Sequence, residues 1–233
     1  MRSCARAWRE GRVLGGGSAV LPVALLAGAT QPRTMLADKS SEGEGVRIVC
    51  IGWGSLVWDP GVLRCVGDWQ TDGPALPLEF ARVSRDGRLT LVLTPGAAPV
   101  PTLWCELDYH TGEAAQAALA GREGTAIHAI GLWPGQPPRH ATGYSEISQW
   151  GKDRGFDAVT WTALRPRFDG VDGAGPKDAA AAASYLGTLS GDALVRASEY
   201  VRRAPDQVRT GFRAALETKC AATWRREPEV PTS

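Results

Sequence analysis

The chain has 233 residues, 43% of them hydrophobic and 22% charged, with a formal net charge of +1. That is enough apolar material for the core of one large domain or two small ones, in a mixture too ordinary for a disordered chain. The near-neutral balance argues against a dedicated nucleic-acid binder, which carries a basic excess. Residues 1–45 read as an N-terminal extension. They open with Arg2, Arg6, Arg9, Arg12 and Arg33 against a single acid, Glu10, in the first 34 residues. The apolar stretch Ala19 to Ala27, followed by Gly28-Ala29, resembles a secretory leader with a small-residue cleavage site. It is too short to span a bilayer. A translation start at Met35, with the upstream text disordered or outside the protein, is the preferred reading, and it leaves an acidic chain.

Regular structure is expected from Val46 to Ile51, a β-branched run typical of a buried strand. It stops at Gly52-Trp53-Gly54-Ser55-Leu56, after which Asp59-Pro60 is suited to open a short helix. Leu76 to Leu93 predicts a hairpin. Leu78, Phe80 and Arg82 alternate with Glu79, Ala81 and Val83, Asp86-Gly87 supplies the turn, and Leu89, Leu91 and Leu93 continue the period of two. A loop from Pro95 to Pro101 precedes a strand at Thr102–Leu107. Thr111 caps a helix running to about Arg122, with Gly121 and Gly124 bracketing its end. Ala126–Trp133 and Asp157–Leu164 read as further strands, and three helices follow at Lys177–Leu189, Asp192–Arg203 and Pro205–Lys219. Strands come first and helices last, which is an α+β order, with 46–233 forming one domain.

Five cysteines without a Cys-x-x-Cys pair and only three histidines disfavour both a disulfide framework and a structural zinc site. A reducing, cytoplasmic setting is favoured. Chemistry concentrates in two short features. In Trp53-Gly54-Ser55-Leu56, directly after a buried strand, glycine permits a sharp turn whose successive N–H groups can converge on an anion. In Arg122-Glu123-Gly124, at a helix end, a carboxylate is placed to accept and return a proton.

Together these resemble the γ-glutamylcyclotransferase family, whose members carry a Tyr-Gly-Ser-Leu or Tyr-Gly-Ser-Asn loop after the first strand and a Glu-Gly after a helix. Leu78-Glu79-Phe80 with Ser84 looks like that family's second strand, and Thr102-Leu103-Trp104 like the strand before its Glu-bearing helix. The resemblance spans roughly residues 46–135. It implies a small mixed β-barrel over about 46–165; the helical appendage over about 176–220 has no counterpart in that family's core and is expected to wall the pocket. It also implies release of 5-oxoproline from a γ-glutamyl amide or amine by attack of the substrate's own α-amine on its γ-carbonyl. Carried over, Glu123 is the general acid/base. The backbone N–H groups of Trp53, Gly54, Ser55 and Leu56 hold a carboxylate or the developing oxyanion. By their place on the hairpin, Arg82 and Ser84 either face the cavity and help with a carboxylate or lie on an outward, solvated face. No metal or organic cofactor is implied, since nucleophile and electrophile share one molecule. The partner is a small molecule, not nucleic acid or membrane. Trp53 stands where the family has Tyr, so a contact made by that phenol is altered or lost. The remaining function classes are a carboxylate-binding domain of the same fold and an acyltransferase or amidase using the same pocket.

Other features read as structural. His128, within an apolar run, is expected to pack in the core. Arg202, Arg203, Arg209 and Arg213 alternate with Glu199, Asp206 and Glu217 as a solvated face. Ser55 lacks the Gly-x-Ser-x-Gly elbow of a triad nucleophile. Gly52-Trp53-Gly54 has Val57 where a dinucleotide fingerprint needs its third glycine.

Overall fold

Ile48-Val49-Cys50-Ile51 forms the first strand of a computed structural model that describes residues 45–224. The leader and the Met35 start lie outside the described residues. In chain order the elements are β1 (Ile48–Gly52), β2 (Cys65–Gln70), β3 (Ala75–Val83), β4 (Leu89–Leu93), β5 (Pro99–Pro101), β6 (Leu103–Leu107), α1 (Gly112–Glu123), β7 (Ile130–Trp133) and α2 (Tyr144–Asp153). Then follow β8 (Ala158–Thr162), β9 (Arg167–Phe168), β10 (Val171–Asp172), α3 (Ala179–Thr188), α4 (Gly191–Arg203) and α5 (Arg213–Trp224).

One sheet has the order β2-β6-β1-β8-β7, with β1 antiparallel to β6 and parallel to β8. The other has the order β10-β9-β3-β4, and β5 adds to the end of β3. The α+β class and the helical C-terminal region are those expected; the strands lie in two mixed sheets with no closed barrel.

β1 sits at the middle of its sheet and is buried throughout. Its alternation feeds two cores, as strand geometry demands. Val49 and Ile51 pack with Phe80, Leu91, Trp161 and the tail helices. Ile48 and Cys50 pack on the other face with Leu119 and Ala115 of α1. Thr111 caps α1, its hydroxyl accepting the Ala114 N–H at 3.2 Å, and Gly124 closes it in a left-handed turn (φ 58°).

The hairpin forms as read. Ser84 N–H donates to the Arg88 carbonyl, and Gly87 takes φ 83°. Its alternation is broken between Phe80 and Arg82 by a register shift, and Glu79, Phe80 and Ala81 are all buried. Glu79 is accommodated because one carboxylate oxygen accepts the Phe80 N–H at 2.8 Å and the other accepts the Phe212 N–H at 3.2 Å.

Three expectations are corrected. No helix opens at Asp59-Pro60; Gly61 at φ 57° diverts the chain into a turn in which Leu63 N–H meets the Pro60 carbonyl. The predicted strand 126–133 begins as a 3₁₀ turn, Ile127–Ala129, and only Ile130–Trp133 pairs. The last helix starts at Arg213, not at Pro205. The buried Arg213 guanidinium instead collects the carbonyls of Ala204 (2.7 Å), Val208 (2.9 Å) and Pro205, holding 204–208 as a loop. Arg213 therefore does not belong to a solvated charged face.

Candidate active site

The Gly-Ser loop leaves β1 and makes a single 3₁₀ turn, Ser55–Val57, closed by Val57 N–H donating to the Gly54 carbonyl at 2.9 Å. Gly54 N–H has no backbone acceptor among the described residues, and Ser55 and Leu56 open the 3₁₀ turn, whose first N–H groups have no partner within it. Trp53 is buried, and its indole N–H donates to the Leu91 carbonyl at 3.2 Å. The ring thus ties the loop to β4.

Glu123 comes to the same place from the other side, as the last residue of α1. The join is Arg122. Its Nη1 donates to Glu123 Oε1 at 2.7 Å, its two terminal nitrogens reach Ser55 Oγ at 3.4 and 3.3 Å, and Nε donates to the Asp59 carbonyl at 3.1 Å. Arg122 and Glu123 side chains are only 10% and 18% exposed, so the pair is shielded enough for its geometry to be held. The turn at 59–63 that replaces the expected helix is what offers the Asp59 carbonyl to Arg122.

Loop and carboxylate line one cavity of about 660 Å³. Ser84 and Arg82 from β3 and its turn also line it, so all seven residues singled out from the sequence meet there. Ser84 and Arg82 are engaged with the hairpin and its surroundings. The Ser84 hydroxyl lies 2.6 Å from Asp86 Oδ1 and 2.9 Å from the Arg88 carbonyl, bracing the hairpin turn. Arg82 donates through Nη1 to the Arg165 carbonyl at 2.9 Å. Burial, then the nearby Arg167, pulls the Arg82 guanidinium below the usual arginine range, with Asp172 opposing.

A wall residue absent from the sequence reading is Tyr200 of α4. Its hydroxyl accepts the Leu91 N–H at 3.2 Å and lies against Gly54, where a Cβ would collide with it. A phenol therefore reaches the loop despite Trp53, but from the tail. Its ring makes an edge contact with Trp58, at 5.5 Å between centroids. Burial pushes the hydroxyl up to about 12, and the Glu123 carboxylate adds to the rise. No local signal marks Tyr200, because its site contacts lie more than a hundred residues away.

His128 is corrected. It is exposed in the 3₁₀ turn and lines a second, smaller cavity. Among the described residues no group of three or more His, Cys, Asp or Glu is placed to hold a metal ion, and no helix is long and apolar enough to cross a membrane.

No family model matches the sequence, and no curated protein matches it. A structural neighbour is the crystal structure of a yeast γ-glutamyl cyclotransferase specific to glutathione. It is 11% identical, covers 76% of this chain and 99% of its own, and has a TM-score of 0.40. What the cavity can do is therefore judged from its own residues.

Proposed function

We propose that the chain is a γ-glutamylcyclotransferase-like enzyme that releases 5-oxoproline from a γ-glutamyl amide or amine. The observation that supports this reading is the Arg122 guanidinium joining the Glu123 carboxylate and the Ser55 loop across one cavity. Glu123 takes a proton from the substrate's α-ammonium. The freed amine attacks the γ-carbonyl, forming the ring C–N bond and a tetrahedral oxyanion. Collapse breaks the original amide C–N bond as the proton held by Glu123 goes to the leaving nitrogen. The freed Glu123 carboxylate then takes the surplus proton from the ring nitrogen and passes it to the departing amine, leaving neutral lactam and ammonium. The N–H groups of Gly54, Ser55 and Leu56, in the loop that lines the cavity, would receive either the oxyanion or the α-carboxylate. Arg122 fixes the carboxylate's orientation, so the base and the amides act on one substrate pose.

The working compartment under this reading is the cytoplasm. Its reducing potential keeps Cys65 and Cys105, whose sulfurs lie 3.2 Å apart, as thiols. The test is turnover of a panel of γ-glutamyl amides and amines with both products quantified. Release of 5-oxoproline supports the reading. Release of free glutamate instead assigns the pocket to an amidase with water as nucleophile, and binding without turnover assigns it to a carboxylate-binding domain.

A further inference from the structure

Beyond Glu123 the cavity continues into a basic annex. Gly124, at φ 58°, turns the chain so that Thr125 lies in the wall of both the main cavity and a neighbouring one of about 240 Å³. Arg82 and Leu164 are shared in the same way. The annex gathers four guanidiniums, from Arg82, Arg139, Arg165 and Arg167, around one carboxylate, Asp172. Asp172 pairs with Arg165 at 2.7 Å and more loosely with Arg167 at 3.6 Å. Arg139 has neither a hydrogen bond nor an ion pair with any described residue. The half-buried Arg82 feels the like charges of Arg167, Arg165 and Arg85, with Asp172 opposing them.

Four arginines from three segments converge here with one carboxylate among them, so an anion entering the space meets a net positive charge. Planar guanidiniums also match an oxyanion with two parallel N–H donors each. A γ-glutamyl group seated on the Ser55 loop with its amide beside Glu123 would direct its amine half along the Thr125 wall.

We propose that the annex is a binding subsite for an oxyanion, phosphate or carboxylate, carried by the amine half of the substrate. The assignment of this anion to a leaving amine rests on the cyclotransferase reading; the anion site itself does not.

Two measurements separate these claims. The first is titration of the full chain with inorganic phosphate and with malonate, followed calorimetrically, in wild type, Glu123→Gln and Arg139→Ser/Arg167→Ser. Arg139 is exposed and has no partner among the described residues, and Arg167 is half exposed, so the fold should tolerate both changes. The expected result is binding of at least one anion to wild type and Glu123→Gln alike, weakened about tenfold or more in the double variant. The tighter of the two anions names the source. No binding of either anion, or binding indifferent to the two arginines, overturns the subsite.

The second is 5-oxoproline release from γ-glutamyl amines that differ only in bearing a neutral or an anionic tail. The double variant should raise KM for the anionic compound alone. Equal KM values in wild type sink the assignment of the anion to the amine half and leave the cyclotransferase reading standing. Anion binding with no 5-oxoproline from any compound sinks that reading and leaves the subsite standing.

Discussion

Arg122 Nη1 lies 2.7 Å from Glu123 Oε1 while the same guanidinium reaches Ser55 Oγ at 3.3 Å. Neighbours in sequence, the two residues form a clamp between the end of α1 and the loop after β1. The clamp explains how a residue at a helix terminus keeps a fixed bearing on a separate turn.

Replacing Arg122 by Met tests the clamp. The largely buried Glu123 carboxylate and the Asp59 carbonyl would both lose their donor. We expect a stability loss of about 1–3 kcal/mol in denaturant melts, mainly the cost of leaving the largely buried Glu123 carboxylate unpaired, since Asp59 is exposed. The fall in kcat should exceed that seen in a control of equal stability loss elsewhere in the core.

Gly54 and Tyr200 are sterically coupled. A Cβ at position 54 would meet the Tyr200 hydroxyl head-on and stand 3.3 Å from the ring carbon that carries it. Gly54→Ala should cost about 1–3 kcal/mol through overpacking. Tyr200→Phe removes the colliding oxygen, so the double variant should be more stable than the sum of the single changes predicts. A double-mutant cycle reads this directly, and strict additivity would refute the coupling.

Tyr200 also fixes an alkaline limit. Its hydroxyl is raised from an ordinary value of 10.0 to about 12 by burial. A raised pKa means that the folded chain holds this proton more tightly than the unfolded chain. The stability it contributes is whole below about pH 10 and is lost as the pH climbs toward 12. Between those limits wild type should lose stability more steeply than Tyr200→Phe in pH-dependent melts.

The carbonyl cage around Arg213 gives a test remote from the cavity. Its side chain is 3% exposed and serves the carbonyls of Ala204, Pro205 and Val208 as well as Glu217, at 2.7 Å. Arg213→Met should destabilise by about 2–5 kcal/mol, since several buried acceptors are orphaned together. Thermal melts would show it.

Where local signals were strong, they were sufficient. The β-branched run at 48–51, the Asp86-Gly87 turn and the Thr111 cap each specify their element through neighbours in sequence. β2 went unread because it is an exposed edge strand containing Gly67 and Asp68, with little apolar alternation. α2 went unread because its N-cap is Gly143, with no side-chain cap, behind a Pro-rich stretch. The 205–212 loop looked helical because only the fold reveals that Arg213 draws its carbonyls away from a helical ladder.

The site divides along the same line. Glu123 and the 53–56 loop were legible as motifs. Arg122's clamp depends on a turn that sequence read as a helix, and Tyr200 reaches the loop from a distant helix. The basic annex is likewise assembled from β3, the segment before α2 and the β9–β10 hairpin region.

The most direct measurement is the rate of 5-oxoproline formation by Glu123→Gln against wild type, on the best γ-glutamyl substrate of the panel. Glutamine keeps the shape and an acceptor for Arg122 but cannot cycle a proton at neutral pH. The account predicts a fall in kcat of about 10²–10⁴-fold with an unchanged melting temperature. A variant that still turns over at the wild-type rate would contradict it.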